Sequence, residues 1–304
     1  MLKRNARPTL MPQRREHRKG RFTYLLDDAE RTAWIKSGHI GRCKTYHVPD
    51  HVVIDGVQYT VTSIEMGAFN HPRTLKHLII PDTITYIDED TLIGFPNLRS
   101  VHIGKGLEYM LNWHFRNCPK LRIITINKAN PYLKIENGLL LSQDGEVLVR
   151  TFFSRAELHI PEGVQYIEKV AFWFDDMLAQ IHFPTTLKEI SDNSFSNLPR
   201  LHRLVLPEGL TQLKVQSFMQ CRHLEYVDLP STLTDFGREN FTGCDNLRTL
   251  ILRSPKVMTC EPDDIFEIPL SSQICVPTEL VEEYKTHPVW SNFENIQSIS
   301  DYEK

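Results

Sequence analysis

No stretch of this 304-residue chain approaches the ~20 consecutive apolar residues that a membrane-spanning helix needs, so a helical membrane protein is excluded. The six cysteines contain no C-x-x-C pair, which argues against a zinc knuckle or a thioredoxin-like redox centre. G-x-S-x-G, H-E-x-x-H, the P-loop and G-x-G-x-x-G are all missing, and with them the common hydrolase, metalloprotease and nucleotide-binding readings. Nothing before Phe22 supplies the apolar stretch of roughly 7 to 15 residues that a secretory leader carries behind its basic start. Read literally, that keeps the chain in the cytoplasm. With 41% hydrophobic and 24% charged residues, the remaining picture is an ordinary globular protein long enough for a large core.

What the chain does have is a period. AFNHPRTL (68–75), TLIGFPNL (91–98), HFRNCPKL (114–121), AFWFDDML (171–178), SFSNLPRL (194–201), SFMQCRHL (217–224) and NFTGCDNL (240–247) align in one register, with steps of 23 residues and one of 57. Their second residues are Phe69, Leu92, Phe115, Phe172, Phe195, Phe218 and Phe241. A fixed period in the 20 to 50 range means stacked repeats, because one such unit cannot bury its apolar side alone.

Each unit continues into an alternating run that ends at proline or a stand-in, such as LKHLIIP, LRSVHIG, LHRLVLP and LEYVDLP. Leu75, Leu78 and Ile80 fall on one face and Lys76, His77 and Ile79 on the other, the period-2 pattern of a half-buried strand. Proline cannot donate to a ladder and suits a strand end, hence a corner of the coil. A second alternation follows, as in DTITYI, EGVQYI and STLTDF, and brings Ile64, Ile87, Ile167, Ile190, Leu213 and Phe236 to matching positions. All these apolar residues are expected in the core. Within the long step, LLLS, Gln143-Asp144-Gly145 and EVLVRTFF read as a β-hairpin, since Asp-Gly supplies the positive φ of a tight turn.

The repeat pattern, a Phe followed three residues later by a small residue or Cys and then by a strand ending in Ile-Pro, resembles the leucine-rich repeats of the BspA-like family, common in Bacteroidetes and some protozoa. The insert NPYLKIENGLLLSQDGEVLV is similar to the irregular unit of those arrays. GVQYTVTSIEMGAF (56–69) resembles their lead-in to the first repeat. The tail ICVPTELVEEYKTHPVWSNFENIQSI resembles their C-terminal cap, with Val276, Pro277, Tyr284, Trp290, Phe293 and Ile296 matching. The likeness covers about residues 22–300. It implies a mainly-β, right-handed leucine-rich repeat solenoid, interrupted by one hairpin module, with short strands joined by turns or short helical turns. It also implies a surface or secreted adhesin or binding protein, against the literal cytoplasmic reading, and it brings no catalytic residues.

The expected organisation is a basic disordered tail (1–21), an N-terminal cap with lead-in strands (22–63), a first repeat block (64–126), an irregular hairpin-containing unit (127–160), a second repeat block (161–253) and a C-terminal cap (254–304). The tail carries Lys3, Arg4, Arg7, Arg14, Arg15, Arg18, Lys19 and Arg21 against Glu16, a local charge of +7 that leaves about −10 for the rest of a chain whose total is −3. No aromatic residue interleaves these charges, so a solubilising tail, or a start at Met11, is expected in place of a nucleic-acid contact. Cys118, Cys221 and Cys244 share one repeat position and should point inward as small hydrophobes, although Cys221 and Cys244, in adjacent coils, are close enough for a disulfide. Cys43, Cys260 and Cys275 have no partner identifiable in the sequence.

His102, His159 and His182 occupy equivalent outward positions, and His159 and His182 sit in neighbouring coils. Such a pair holds a metal only if a carboxylate joins it. The sequence indicates no third ligand, so neither metal nor cofactor is expected. The outward ladder positions Lys76, His77, Arg99, His102, Arg122, His182, His202, Arg203, Tyr226 and Arg248 form a mildly basic face with one aromatic. This face suits an acidic protein or glycan partner, bound by a monomeric, non-enzymatic scaffold. The alternative is an enzyme or carbohydrate-processing accessory protein, with Glu136, Asp144 and Glu146 as carboxylates in the irregular region.

Overall fold

The computed structural model describes residues 14–70, 73–110, 114–115, 117–152, 155–172, 175–258 and 268–304. Two compact units make up the chain, Met1–Asp144 and Gly145–Lys304.

In the first unit, β1 (Arg15–Lys19), β2 (Phe22–Asp27) and β3 (Thr32–Gly38) form an antiparallel meander. A parallel ladder begins at β4 (Thr45–His47). The strand β5 (His51–Ile54) pairs antiparallel with β6 (Val57–Ile64), which also runs parallel to β3. β4 pairs with β7 (His77–Ile80), and after the short β8 (Tyr86–Ile87), which pairs with β6, the ladder continues through β9 (Ser100–Ile103) and β10 (Ile123–Ile126). A hairpin of β11 (Leu133–Glu136) and β12 (Leu139–Ser142) closes the unit.

The second unit carries three parallel ladders. One runs β13 (Val147–Thr151), β15 (Tyr166–Ile167), β17 (Glu189–Ile190), β19 (Gln212–Leu213), β21 (Asp235–Phe236). A second pairs β14 (Glu157–His159) with β16 (Gln180–His182), and the third runs β18 (Arg203–Val205), β20 (Tyr226–Leu229), β22 (Thr249–Leu252), β23 (Gln273–Val276) and β24 (Asn295–Ser298). Helix is confined to α1 (Val281–Thr286), α2 (Ile299–Tyr302) and two 3₁₀ turns among the described residues. None of these helices is long and apolar enough to cross a membrane.

This is the mainly-β solenoid that the period predicts, with two strands per coil. The corner at proline is visible in the hydrogen bonds: Ile84, Val164, Leu187, Leu210 and Leu233 each donate their N–H to the carbonyl of the proline three residues earlier. Gly104 stands where other units have proline, and its N–H bonds Ile80 at 2.9 Å. A Cβ there would lie 2.4 Å from the Pro81 carbonyl carbon, so the coils meet too closely for any side chain.

The seven aligned second residues are all buried. In the second unit Phe172, Phe195, Phe218 and Phe241 stack coil on coil, with centroids 4.3, 5.1 and 6.1 Å apart. Fully burying such side chains contributes roughly 1.5–3 kcal/mol each, which the coils obtain only by stacking. In the first unit Leu92 breaks the aromatic column, and Phe69 instead packs edge-on against Phe22 and Tyr46. Cys118, Cys221 and Cys244 point inward as expected. Each thiol donates to the carbonyl 26 residues earlier, of Leu92, Phe195 and Phe218 respectively, and Cys221 and Cys244 are unoxidised. Burial pushes the Cys221 thiol up to about 12. The two thiols of adjacent coils are thus not joined as a disulfide. Cys260 lies outside the described residues.

At the C-terminal end Tyr284, Trp290 and Phe293 are buried against one another. Trp290 Nε1 donates to the Met258 carbonyl at 2.8 Å and Tyr284 Oη accepts from the Met258 N–H at 3.0 Å, which pins the cap by its polar handles.

One expectation needs correction. The basic segment is not a structureless tail throughout. Residues 1–13 lie outside the described residues, but Arg15–Lys19 is a strand whose charges are used: Arg15 pairs with Asp28 at 3.2 Å, Lys36 with Glu16 at 2.5 Å, and the Arg14 guanidinium lies 3.6 Å from the centre of the Trp34 ring. The Gln143–Gly145 turn lies where expected, between β12 and β13, with a φ of 85° at Gly145, and a second tight hairpin precedes it. It turns at Asn137–Gly138, where φ is 51° and 75°, the two positive values of a two-residue turn.

Candidate binding surface

Strand pairing in the first unit fixes what faces outward. One row is Thr45, His77, Ser100 and Ile123, and the next is His47, Ile79, His102 and Thr125. The His77 ring lies 2.7 Å from Ser100 Oγ and the His102 ring 2.9 Å from Thr125 Oγ1, so both rings are held in register by the next coil. Ile123 is 57% exposed, an apolar spot at the edge of this face.

Just before the strands, a column of cations is built by the backbone. Arg122 N–H donates to Arg99 O at 3.0 Å, Arg99 N–H to Lys76 O at 2.7 Å, and Lys76 N–H to Lys44 O at 2.7 Å. Neighbouring strands sit about 4.8 Å apart, so four positive side chains leave consecutive coils in line. None of the four forms an ion pair among the described residues, and Arg122 merely folds back to donate to the Pro119 and Leu121 carbonyls. The sequence reading found Lys76, Arg99 and Arg122 but missed Lys44. Its signal was TYHVP, a strand running into proline like the repeats, set outside the 23-residue register.

The second unit places His182 on the β14–β16 pair, and His202, Arg203, Tyr226 and Arg248 on or just before the strands of the β18–β24 ladder. The corresponding pre-strand positions there are Ala156 and Ala179, joined by one backbone bond, and His202, Glu225 and Arg248, joined by two, and they are not basic. The Arg203 guanidinium stacks 3.5 Å from the centre of the Tyr226 ring, and burial, followed by the nearby Asp228 carboxylate, raises the Tyr226 phenol. His202 lies edge-on to His223 at 5.9 Å. All ten predicted residues are exposed or half-buried, five on each unit.

Further along this ladder the outward face is covered. Asp228, Ile251 and Cys275 occupy outward positions yet are 7%, 0% and 0% exposed. Arg253 spans the region, donating to both Asp228 oxygens at 2.8 and 2.9 Å and to Glu303 at 2.9 Å, just after α2. These hydrogen bonds, Asp228 first, raise the guanidinium above its ordinary value.

One residue outside the predicted set joins two inside the histidine pattern. The His159 and His182 rings stack with centroids 4.0 Å apart and planes 2° apart, and both Nε2 atoms donate to Glu157 Oε1, at 3.1 and 2.9 Å. The bonds from His182 and then His159 hold the Glu157 carboxyl below the usual carboxylate range. In the irregular region, Asp144 accepts from the Ser142 hydroxyl and Glu136 lies 4.0 Å from Lys134 Nζ.

The family model of the BspA-type leucine-rich repeat region matches in six copies, over residues 56–139 and 151–266. Among solved structures, the pneumococcal vaccine antigen PcpA is similar at 13% identity with a TM-score of 0.61, over 93% of this chain and 98% of that one. A leucine-rich repeat protein of Bacteroides ovatus is 18% identical with a TM-score of 0.57, over 93% and 76%. One from Eubacterium ventriosum is 14% identical with a TM-score of 0.51, over 85% and 82%. At these identities the likeness speaks for the fold. No curated protein matches the chain.

Proposed function

Since the chain belongs to the BspA-type leucine-rich repeat family, we propose that it is a monomeric, non-enzymatic recognition scaffold that binds an acidic protein surface along Lys44, Lys76, Arg99 and Arg122 and the ladder face beside them. The observation that supports this reading is the column itself. Four cations stand in register with no ion-pair partner among the described residues, and like charges about 5 Å apart repel by up to about 1 kcal/mol per pair even in water. An anionic partner removes that repulsion and gains steering and register from a rigid, evenly spaced array. His77, His102 and Ile123 add hydrogen-bonding and apolar contact next to the charges. In the second unit, the stacked Arg203 and Tyr226 provide residue types enriched where interfaces concentrate their energy.

The test is capture of binders from cytoplasmic and extracellular extracts by the full chain and by a Lys76→Glu/Arg99→Glu/Arg122→Glu variant. Binding should be lost in the variant and fall as salt approaches about 1 M, where screening shortens to about 3 Å. Undiminished capture by the variant would refute the reading. Capture of a polyanionic glycan but no protein would replace the protein partner with a glycan.

A further inference from the structure

We infer that Glu157, His159 and His182 form a binding site for a divalent metal of the zinc class, on the β14–β16 pair of the second unit and independent of the acidic-partner surface. Glu157 and His159 are two apart on β14, which puts them on one face of the strand. His182 is the direct partner of His159 on β16. Backbone pairing therefore fixes three ligand-bearing Cα positions before any ion arrives, and one ligand atom from each residue lies within 4.8 Å of the others. Two imidazole nitrogens and a carboxylate oxygen are a donor set that suits zinc and its first-row neighbours, whereas magnesium and calcium want oxygen alone.

The distances support the assignment. Zinc bonds nitrogen and oxygen at roughly 2.0–2.2 Å, so donors around one tetrahedral ion sit about 3.3 Å apart. The two His–Glu spacings of 2.9 and 3.1 Å are already close to that. The parallel rings must tilt so that their in-plane lone pairs converge. The side chains of His159, Glu157 and His182 are 71%, 53% and 41% exposed, which leaves the rings room to tilt on their solvent side. In the present arrangement each Nε2 carries the proton it donates to Glu157. An ion takes the place of those two protons at the carboxylate, and each imidazole that binds it through Nε2 carries its N–H at Nδ1. Three protein ligands leave a fourth position open to solvent, for water or a donor atom of another molecule.

Isothermal titration of the chelator-treated full chain with zinc chloride tests this. One ion should bind per chain, and the affinity should fall at least about tenfold in His159→Ala and in His182→Ala, and less in Glu157→Gln. His102→Ala, at the equivalent ladder position of the first unit, should bind like the wild type. On the unmutated protein, nuclear magnetic resonance should show two of the thirteen histidines responding to the first equivalent of zinc. No binding by the wild type, an unchanged single site in the His159→Ala/His182→Ala double variant, or a first equivalent that moves other histidines would each overturn the inference.

Discussion

The two units apply one repeat to different ends. In the first, His77 and His102 on the ladder face are hydrogen-bonded to Ser100 and Thr125 of the next coil, and a basic column with no ion pair among the described residues runs along its edge. In the second, the corresponding positions are mixed, an aromatic stack runs through the core, and the far end of the face is closed over Asp228 by Arg253 and Glu303. The repeat dictates what points inward, because every coil must bury its neighbour. It leaves outward positions unconstrained, and there the units diverge in charge and exposure.

The sharpest break in that comparison should come from the cores. Phe195→Ala, at the centre of the second unit's stack, should cost about 4 kcal/mol and exceed Leu92→Ala at about 3 kcal/mol, measured by urea unfolding. An equal or smaller loss at Phe195 would contradict this. Next, Arg253→Ala should cost about 3 kcal/mol because it strands the buried Asp228 carboxylate, while Glu303→Ala, an exposed partner, should cost under about 1 kcal/mol.

A smaller effect, absent at neutral pH, follows from Cys221. Its folded-state value is raised, so the stability it contributes is complete below the ordinary thiol value of about 8.5 and is lost as pH climbs towards about 12. Cys221→Ala should flatten that alkaline slope in urea unfolding at pH 8 to 11, and an unchanged slope would place its origin elsewhere. Smallest of all, Arg99→Glu should shift stability by no more than about 0.5 kcal/mol, since its side chain is exposed and supports no packing.

Much of the fold was legible because a solenoid writes its core into the sequence at a constant interval. Phe195, Phe218 and Phe241, the proline corners and the paired Ile167, Ile190 and Leu213 were all placed by period alone. What period cannot place are the residues outside the beat. Lys44 belongs to the basic column through a backbone bond from Lys76, but 32 residues separate them in sequence, not 23. The Asn137–Gly138 turn was overlooked although Asn-Gly between apolar runs is the stronger hairpin signal of the two. Glu157 was passed over for a different reason. The sequence showed His159 and His182 as neighbours across coils, and the third ligand lay two residues back on the same strand face, a period-2 relation hidden under a 23-residue one. The closed end of the β18–β24 ladder was not readable at all, since it depends on where the last few residues fold.

The account turns on whether the basic column of the first unit is a working surface. Affinity for a captured acidic partner should be compared between Lys76→Glu/Arg99→Glu/Arg122→Glu and the matching reversal His202→Glu/Arg203→Glu/Arg248→Glu in the second unit, both checked for unchanged melting. A loss of more than about tenfold in the first triple, about 1.4 kcal/mol or more, and a markedly smaller one in the second is the predicted result. Equal losses, or a larger loss from the second unit, would contradict it.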